Sequence, residues 1–96
     1  MKIDFLKNDG VLHVTLEGRL DTITAPEFES FLNTNYDGTG TLVIDLAKLA
    51  YISSAGLRVL LAAQKKTKGS MKLINVCELI LEVFEITGFA DILVIE

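Results

Sequence analysis

The chain has 96 residues, half of them hydrophobic and 23% charged, with nine basic against thirteen acidic residues and a net charge of −4. That length is one domain, residues 1–96, able to bury only about 60–65% of its unfolded surface, so a large internal substrate cavity is excluded. The acidic balance argues against a nucleic-acid or anionic-membrane surface, and an apolar half with a single proline excludes disorder.

Lys2 to Lys7 places Ile3 and Phe5 on one parity and reads as an edge strand. Asn8-Asp9-Gly10 follows, and Asp-Gly is a strong hairpin-turn signal. Val11 to Glu17 alternates, with Leu12, Val14 and Leu16 inward and His13, Thr15 and Glu17 outward. The first helix opens at Thr24, which forms a capping-box pattern with Glu27; Pro26 suits its first turn, and Ile23 and Phe28 are spaced for a hydrophobic staple. Phe28, Phe31 and Leu32 make its apolar stripe, and Asp37-Gly38-Thr39-Gly40 ends the element.

Thr41 to Leu46 is a nearly continuous apolar run, the pattern of a central strand covered on both faces. The second helix is expected over roughly Ala55 to Lys68, with Lys65, Lys66 and Lys68 in its last turn and Gly69 at the left-handed position beyond it. Met71 to Val76 reads as a strand. Val76, Leu79, Ile80, Val83 and Phe84 then give a helical stripe that stops at Gly88, with Glu78, Glu82 and Glu85 on a solvated side. Ile92 to Ile95 is a last short strand.

The order β-β-α-β-α-β-α-β predicts a small α/β domain: a mixed sheet with an antiparallel edge hairpin and helices packed on it. Strand–helix–strand crossovers make the strands at 11–17, 41–46 and 71–76 parallel. Their C-terminal ends then share one edge, which collects Asp21 and Thr22, Asp45 through Ser54, and Asn75 to Glu78. In open α/β sheets ligands and partners dock at that edge.

The most distinctive segment there is Ala50-Tyr51-Ile52-Ser53-Ser54-Ala55-Gly56-Leu57-Arg58. Two serines stand where a loop becomes a helix. One reading is capping, in which a hydroxyl accepts from a free amide of the first turn. Capping does not explain Gly56, which weakens a helix start but permits close backbone approach. A helix start also presents free amides and a positive dipole end, so it tolerates a phosphate, and a phosphorylatable serine is the second reading.

Four segments in order resemble the STAS domain of bacterial anti-sigma factor antagonists, over essentially the whole chain. Gly18-Arg19-Leu20-Asp21 with Ala25-Pro26 is similar to the segment before the family's first helix, and Leu42-Val43-Ile44-Asp45-Leu46 to its central strand. Ile52-Ser53-Ser54-Ala55-Gly56-Leu57 resembles its phosphorylation loop, and Phe84-Glu85-Ile86-Thr87-Gly88-Phe89 its last helix turn. The resemblance implies a partner-switching protein. Its unphosphorylated form binds an anti-sigma factor that is also a serine kinase; phosphorylation of the loop serine dissolves the complex, and a phosphatase restores it. By residue matching the phosphoacceptor is Ser54. The family often carries an acidic residue just before that serine; Ser53 stands there instead, which leaves Ser53 as a rival acceptor. The same departure keeps open a non-phosphorylated STAS subunit acting as a structural partner in a transporter or other assembly.

Asp21 and Thr22 match the family's partner-facing loop, with simple capping as the alternative. Ser53, Ala55 and Gly56 are expected to share the partner surface with them. Arg58, one turn into the helix, pairs with a partner carboxylate or a phosphate, or is merely solvated. Asp45 is expected to support a loop by hydrogen bonding. His13 sits midway along a strand, away from Ser54, so a serine hydrolase lacks its base and no enzyme activity is expected. One histidine and one cysteine, Cys77, form no metal cluster and no internal disulfide; no cofactor is implied. Gly38-Thr39-Gly40 lacks the lysine and the helix of a phosphate-binding loop. No signal peptide opens the chain, and the longest apolar run, Val59 to Ala63, is far short of a membrane span, so a cytoplasmic setting is expected.

Overall fold

The computed structural model describes residues 1–96. Strand β1 (Lys2–Asn8) and strand β2 (Val11–Leu20) form the antiparallel hairpin. Its turn residues, Asp9 at φ 51° and Gly10 at φ 76°, both take the left-handed conformation that a two-residue hairpin requires. Helix α1 (Ala25–Asn35) leads to strand β3 (Thr41–Ile52), helix α2 (Ser54–Thr67) to strand β4 (Met71–Ile74), and helix α3 (Glu78–Thr87) to a 3-10 turn at Phe89–Asp91. The sheet order is β1-β2-β3-β4, with β2, β3 and β4 parallel. The expected mixed α/β architecture is the one observed.

One parity of the sheet carries the core. Leu12, Val14 and Leu16 of β2, Leu42, Ile44 and Leu46 of β3, and Met71 and Leu73 of β4 are all buried. Against them pack Phe28 and Leu32 of α1, Leu57, Leu60 and Ala63 of α2, and Ile80 and Phe84 of α3. The other parity is open: Leu6, His13, Val43 and Lys72 stand in register across it, and none is buried. Strand β3 is therefore covered on one face, not two. With the strands in sequential order, same-handed crossovers place every helix on the same side.

Strands β2 and β3 are longer than their alternation predicts. Beyond Leu46 the buried residues of β3 are Leu49 and Ile52, a spacing of three. The register explains it: Thr15–Glu17 faces Asp45–Lys48, and Gly18–Arg19 faces Leu49–Tyr51, so β3 holds one extra residue at each of two bulges. The bulges shift the pleat, and a period-two pattern cannot follow it.

Three smaller expectations fail. Thr24 makes no side-chain cap to α1; its hydroxyl donates to the Arg19 carbonyl at 2.7 Å and accepts from the Asp21 amide at 2.9 Å. Ile23, 86% exposed, forms no staple. The final strand shrinks to one bridge, Leu73 with Ile95, because the 3-10 turn uses up part of the remaining chain. The left-handed end of α2 also begins a residue early, at Lys68 with φ 54°, ahead of Gly69 at φ 90°.

Candidate functional site

The long reach of β2 and β3 sets the site. Both run past β4, whose last residue pairs with Asp45, so the strand ends are not level. Asp21, Thr22 and the Ser53–Arg58 segment meet at the far end, where the Ser53 amide donates to the Leu20 carbonyl at 2.9 Å. Asn75 to Glu78 lies instead beside the middle of the β3 extension: the half-buried Cys77 points its thiol at the Leu49 carbonyl, 3.9 Å away. The single docking edge expected from connectivity is thus two neighbouring patches.

Ser53 is the N-cap of α2, in extended conformation, and its carbonyl accepts the first helical bond from Leu57 at 3.0 Å. Its side chain caps nothing. The Oγ is enclosed and has no hydrogen-bond partner. Ser54, the first helical residue, is exposed. The first turn of α2 has no acidic residue, so the positive end of the helix is uncompensated by any side chain within it. Arg58, four residues on and therefore on the same helix face as Ser54, is exposed and takes part in no ion pair within the chain.

Gly56 is fully enclosed for a packing reason. A Cβ there would lie 2.8 Å from Leu20 Cγ and 2.9 Å from both Ile52 Cγ1 and the Leu20 carbonyl oxygen. No such atom fits, so glycine lets the mouth of α2 sit directly on the ends of β2 and β3. Ala55 is half-buried against the core beside it.

The loop from β2 to α1 is built on Asp21. Its Oδ1 accepts from the amides of Ile23 (3.0 Å) and Thr24 (3.1 Å) and from the Thr24 hydroxyl (3.2 Å). The Thr24 amide above all, with the Ile23 amide, the Thr24 hydroxyl and the Arg19 charge adding to it, outweighs partial desolvation and holds the carboxyl below its ordinary value. Asp21 therefore shapes the loop, leaving Thr22 and Ile23 exposed at its tip.

The flanking pair Arg19 and Tyr51 escaped the sequence reading. They are cross-strand neighbours; the guanidinium lies 4.2 Å from the centre of the half-exposed ring and its Nε 3.6 Å from Asp21 Oδ2. Two bulges separate this pairing from the regular register, so no spacing in the sequence announces it. Asp45 supports a loop as expected, accepting from the Ala47 amide at 2.9 Å and the Asn75 amide nitrogen at 3.1 Å. His13 lies on the open sheet face between Leu6 and Val43, nine residues along β3 from Ile52, and cannot serve Ser54 as a base. No three His, Cys, Asp or Glu side chains gather into a metal site, and no helix is long and apolar enough to cross a membrane.

The STAS domain is the family whose pattern matches the chain, over residues 2–96. BtrV of Bordetella bronchiseptica, named for anti-sigma factor antagonism, is 41% identical over 96 residues, covering 96% of this chain and 83% of that protein. The anti-sigma-B factor antagonist of Bacillus subtilis is 32% identical, covering 97% of this chain and 88% of its own. The crystal structure of an anti-sigma factor antagonist from Mycobacterium paratuberculosis superposes with a TM-score of 0.86 at 25% identity, covering 98% of this chain and 83% of that one.

Proposed function

The chain belongs to the STAS domain family, and on that premise we propose that it is a cytoplasmic anti-sigma factor antagonist whose docking is switched by phosphorylation of Ser54. The observation that carries this reading is the contrast between two adjacent hydroxyls. Ser54 is exposed at the first position of α2, while the Ser53 Oγ is enclosed and out of a kinase's reach. That contrast favours Ser54 over its rival.

The docking surface combines the outer part of the α2 mouth (Ser54, Arg58 and the half-buried Ala55) with the tip of the Asp21 loop, where Thr22 and Ile23 project; Gly56, expected on that surface, is enclosed and seats the helix beneath it. Tyr51, steadied by Arg19, adds a half-exposed ring at the rim. Ser53 contributes its backbone, tying the two halves together. The partners are an anti-sigma factor with serine kinase activity and a phosphatase that reverses it; ATP and its metal belong to the kinase.

Magnitudes decide how such a switch works. A phosphate adds about −1.5 to −2 charges. At its own helix N-terminus that charge gains roughly 0.3–1 kcal/mol, and a helical ion pair with Arg58 adds about 0.3–0.5 kcal/mol. The scaffold therefore accepts the group. At an interface, a charge facing like charge costs several kcal/mol, and each 1.4 kcal/mol is tenfold in affinity. The interface term dominates, so docking changes while the fold does not.

The test incubates the purified chain with ATP and its cognate kinase and reads intact mass. One added phosphate on the wild type and none on Ser54→Ala is the expected pair. No gain on the wild type favours a non-phosphorylated scaffold subunit; a gain that survives in Ser54→Ala moves the acceptor elsewhere.

A further inference from the structure

Helix α3 presents a second surface, independent of Ser54. Leu79 is 60% exposed and Ile86 78% exposed, seven residues apart, with the half-buried Val83 between them. At 100° per residue these three fall within about 60° of one another, a ridge about 10 Å long. Glu78, Glu82 and Glu85 form a parallel exposed ridge beside it. The helix, Glu-Leu-Ile-Leu-Glu-Val-Phe-Glu-Ile-Thr, contains no Lys or Arg. The chain's four ion pairs, Lys2–Asp4, Arg19–Asp21, Lys48–Glu17 and Lys72–Glu96, all lie elsewhere, so no cation of this chain neutralises the acidic ridge.

Single exposed aliphatic residues are ordinary, but two large ones in line along a helix, bordered on one side only by unpaired carboxylates, define a surface with a polarity. We infer that the outer face of α3 docks an amphipathic helix of another protein, whose apolar stripe is bordered by Lys or Arg. A helix is the matching shape because Leu79, Val83 and Ile86 make an i, i+4, i+7 ridge of the kind that interdigitates with a facing helix. Charge selects the occupant. A second copy meeting α3 to α3 sets carboxylates against carboxylates when the helices run antiparallel, and in either orientation brings no cation, since α3 has no Lys or Arg. The basic end of α2, Lys65, Lys66 and Lys68, is confined to one helix terminus and offers no parallel cationic ridge. An anionic membrane is repelled by the same carboxylates.

The test uses the full chain, labelled with nitrogen-15, and a synthetic peptide of about 18 residues, roughly five helical turns, with a Leu stripe flanked by Lys. A second peptide replaces each Lys by Glu. The Lys peptide is expected to shift amide resonances within Glu78–Thr87, with an affinity that falls as salt rises. The double variant Leu79→Ser/Ile86→Ser and the double variant Glu82→Lys/Glu85→Lys are each expected to weaken it at least tenfold while keeping the wild-type Tm. Equal binding of the Glu peptide, shifts centred away from α3, or unchanged affinity in both variants overturns the inference. A wild-type dimer in analytical ultracentrifugation that Leu79→Ser/Ile86→Ser abolishes overturns it too, by naming a second copy as the occupant, as does adsorption of the wild type to anionic vesicles. None of these readouts depends on Ser54, so they stand or fall apart from the phosphorylation reading.

Discussion

The Ser53 amide donates to the Leu20 carbonyl at 2.9 Å, and Gly56 rests on that same carbonyl, so the mouth of α2 is stitched to the end of β2. One backbone bond and one missing side chain hold the Asp21 loop and the Ser54 turn as a single surface. A change at either contact is felt by both.

Gly56→Ala is the sharpest probe of that contact. The added methyl meets two side chains and a backbone oxygen at under 3 Å, and the backbone oxygen cannot swing away. Overpacking of this kind costs about 1–3 kcal/mol, a fall in Tm of roughly 5–20 °C for a domain this size. Calorimetry checks it. An unchanged Tm would mean that α2 does not seat on Leu20 and Ile52 as described.

Ser53→Ala separates a cap from a bystander. A serine capping through its hydroxyl loses about 1 kcal/mol on truncation. Here the Oγ is enclosed and bonds to nothing, so its removal relieves an unpaired polar atom and leaves stability unchanged or raised by up to about 1 kcal/mol. Urea melts of wild type and variant decide; a clear loss contradicts the geometry.

Asp21 carries a pH signature. Its carboxyl, held below the ordinary value of 3.8 chiefly by the Thr24 amide, favours the folded state when ionised. A depressed folded pKa contributes stability that is present above the unfolded value and lost as pH falls through the folded one. Asp21→Asn keeps an oxygen for the Ile23 and Thr24 amides but cannot titrate. As pH falls below about 4 the wild type is expected to lose stability more steeply than the variant, read as melting temperature against pH. Parallel curves would remove Asp21 from the account.

Much of this arrangement was legible in the amino-acid order. Asp9-Gly10, the alternation of Val11 to Glu17 and Gly88 marked their elements because each signal is local. The pairing of Arg19 with Tyr51 was not legible, since two bulges in β3 set it and a bulge depends on both strands. Thr24 illustrates the same limit. Its capping-box spacing is sound, yet the hydroxyl serves the Arg19 carbonyl and the Asp21 amide, partners on the strand side of the loop, and so does not cap the first turn of α1. At the candidate site, sequence located Ser53, Ser54 and Gly56, while the enclosure of one hydroxyl and the exposure of the next emerged only with the chain folded.

Arg58 is expected to answer to a phosphate on Ser54. The two lie four residues apart on one helix face, and the guanidinium has no other partner in the chain. In chain carrying phosphoserine at position 54, Arg58→Gln is expected to lower Tm by about 1–4 °C, matching a pair of roughly 0.3–0.5 kcal/mol, and to raise the phosphate's second pKa in a phosphorus-31 titration. The same substitution in unphosphorylated chain leaves Tm unchanged. An identical phosphate titration with and without Arg58 would show that the pair does not form.

The switch itself rests on one comparison: titration calorimetry of the cognate anti-sigma factor kinase against unphosphorylated chain and against chain bearing phosphoserine at position 54, with Tm measured on both. The expected result is a loss of at least a hundredfold in affinity, about 2.7 kcal/mol, with Tm values within a few degrees of each other. Equal affinity of the two forms, or a loss of binding that comes with an unfolded phosphorylated chain, would contradict it.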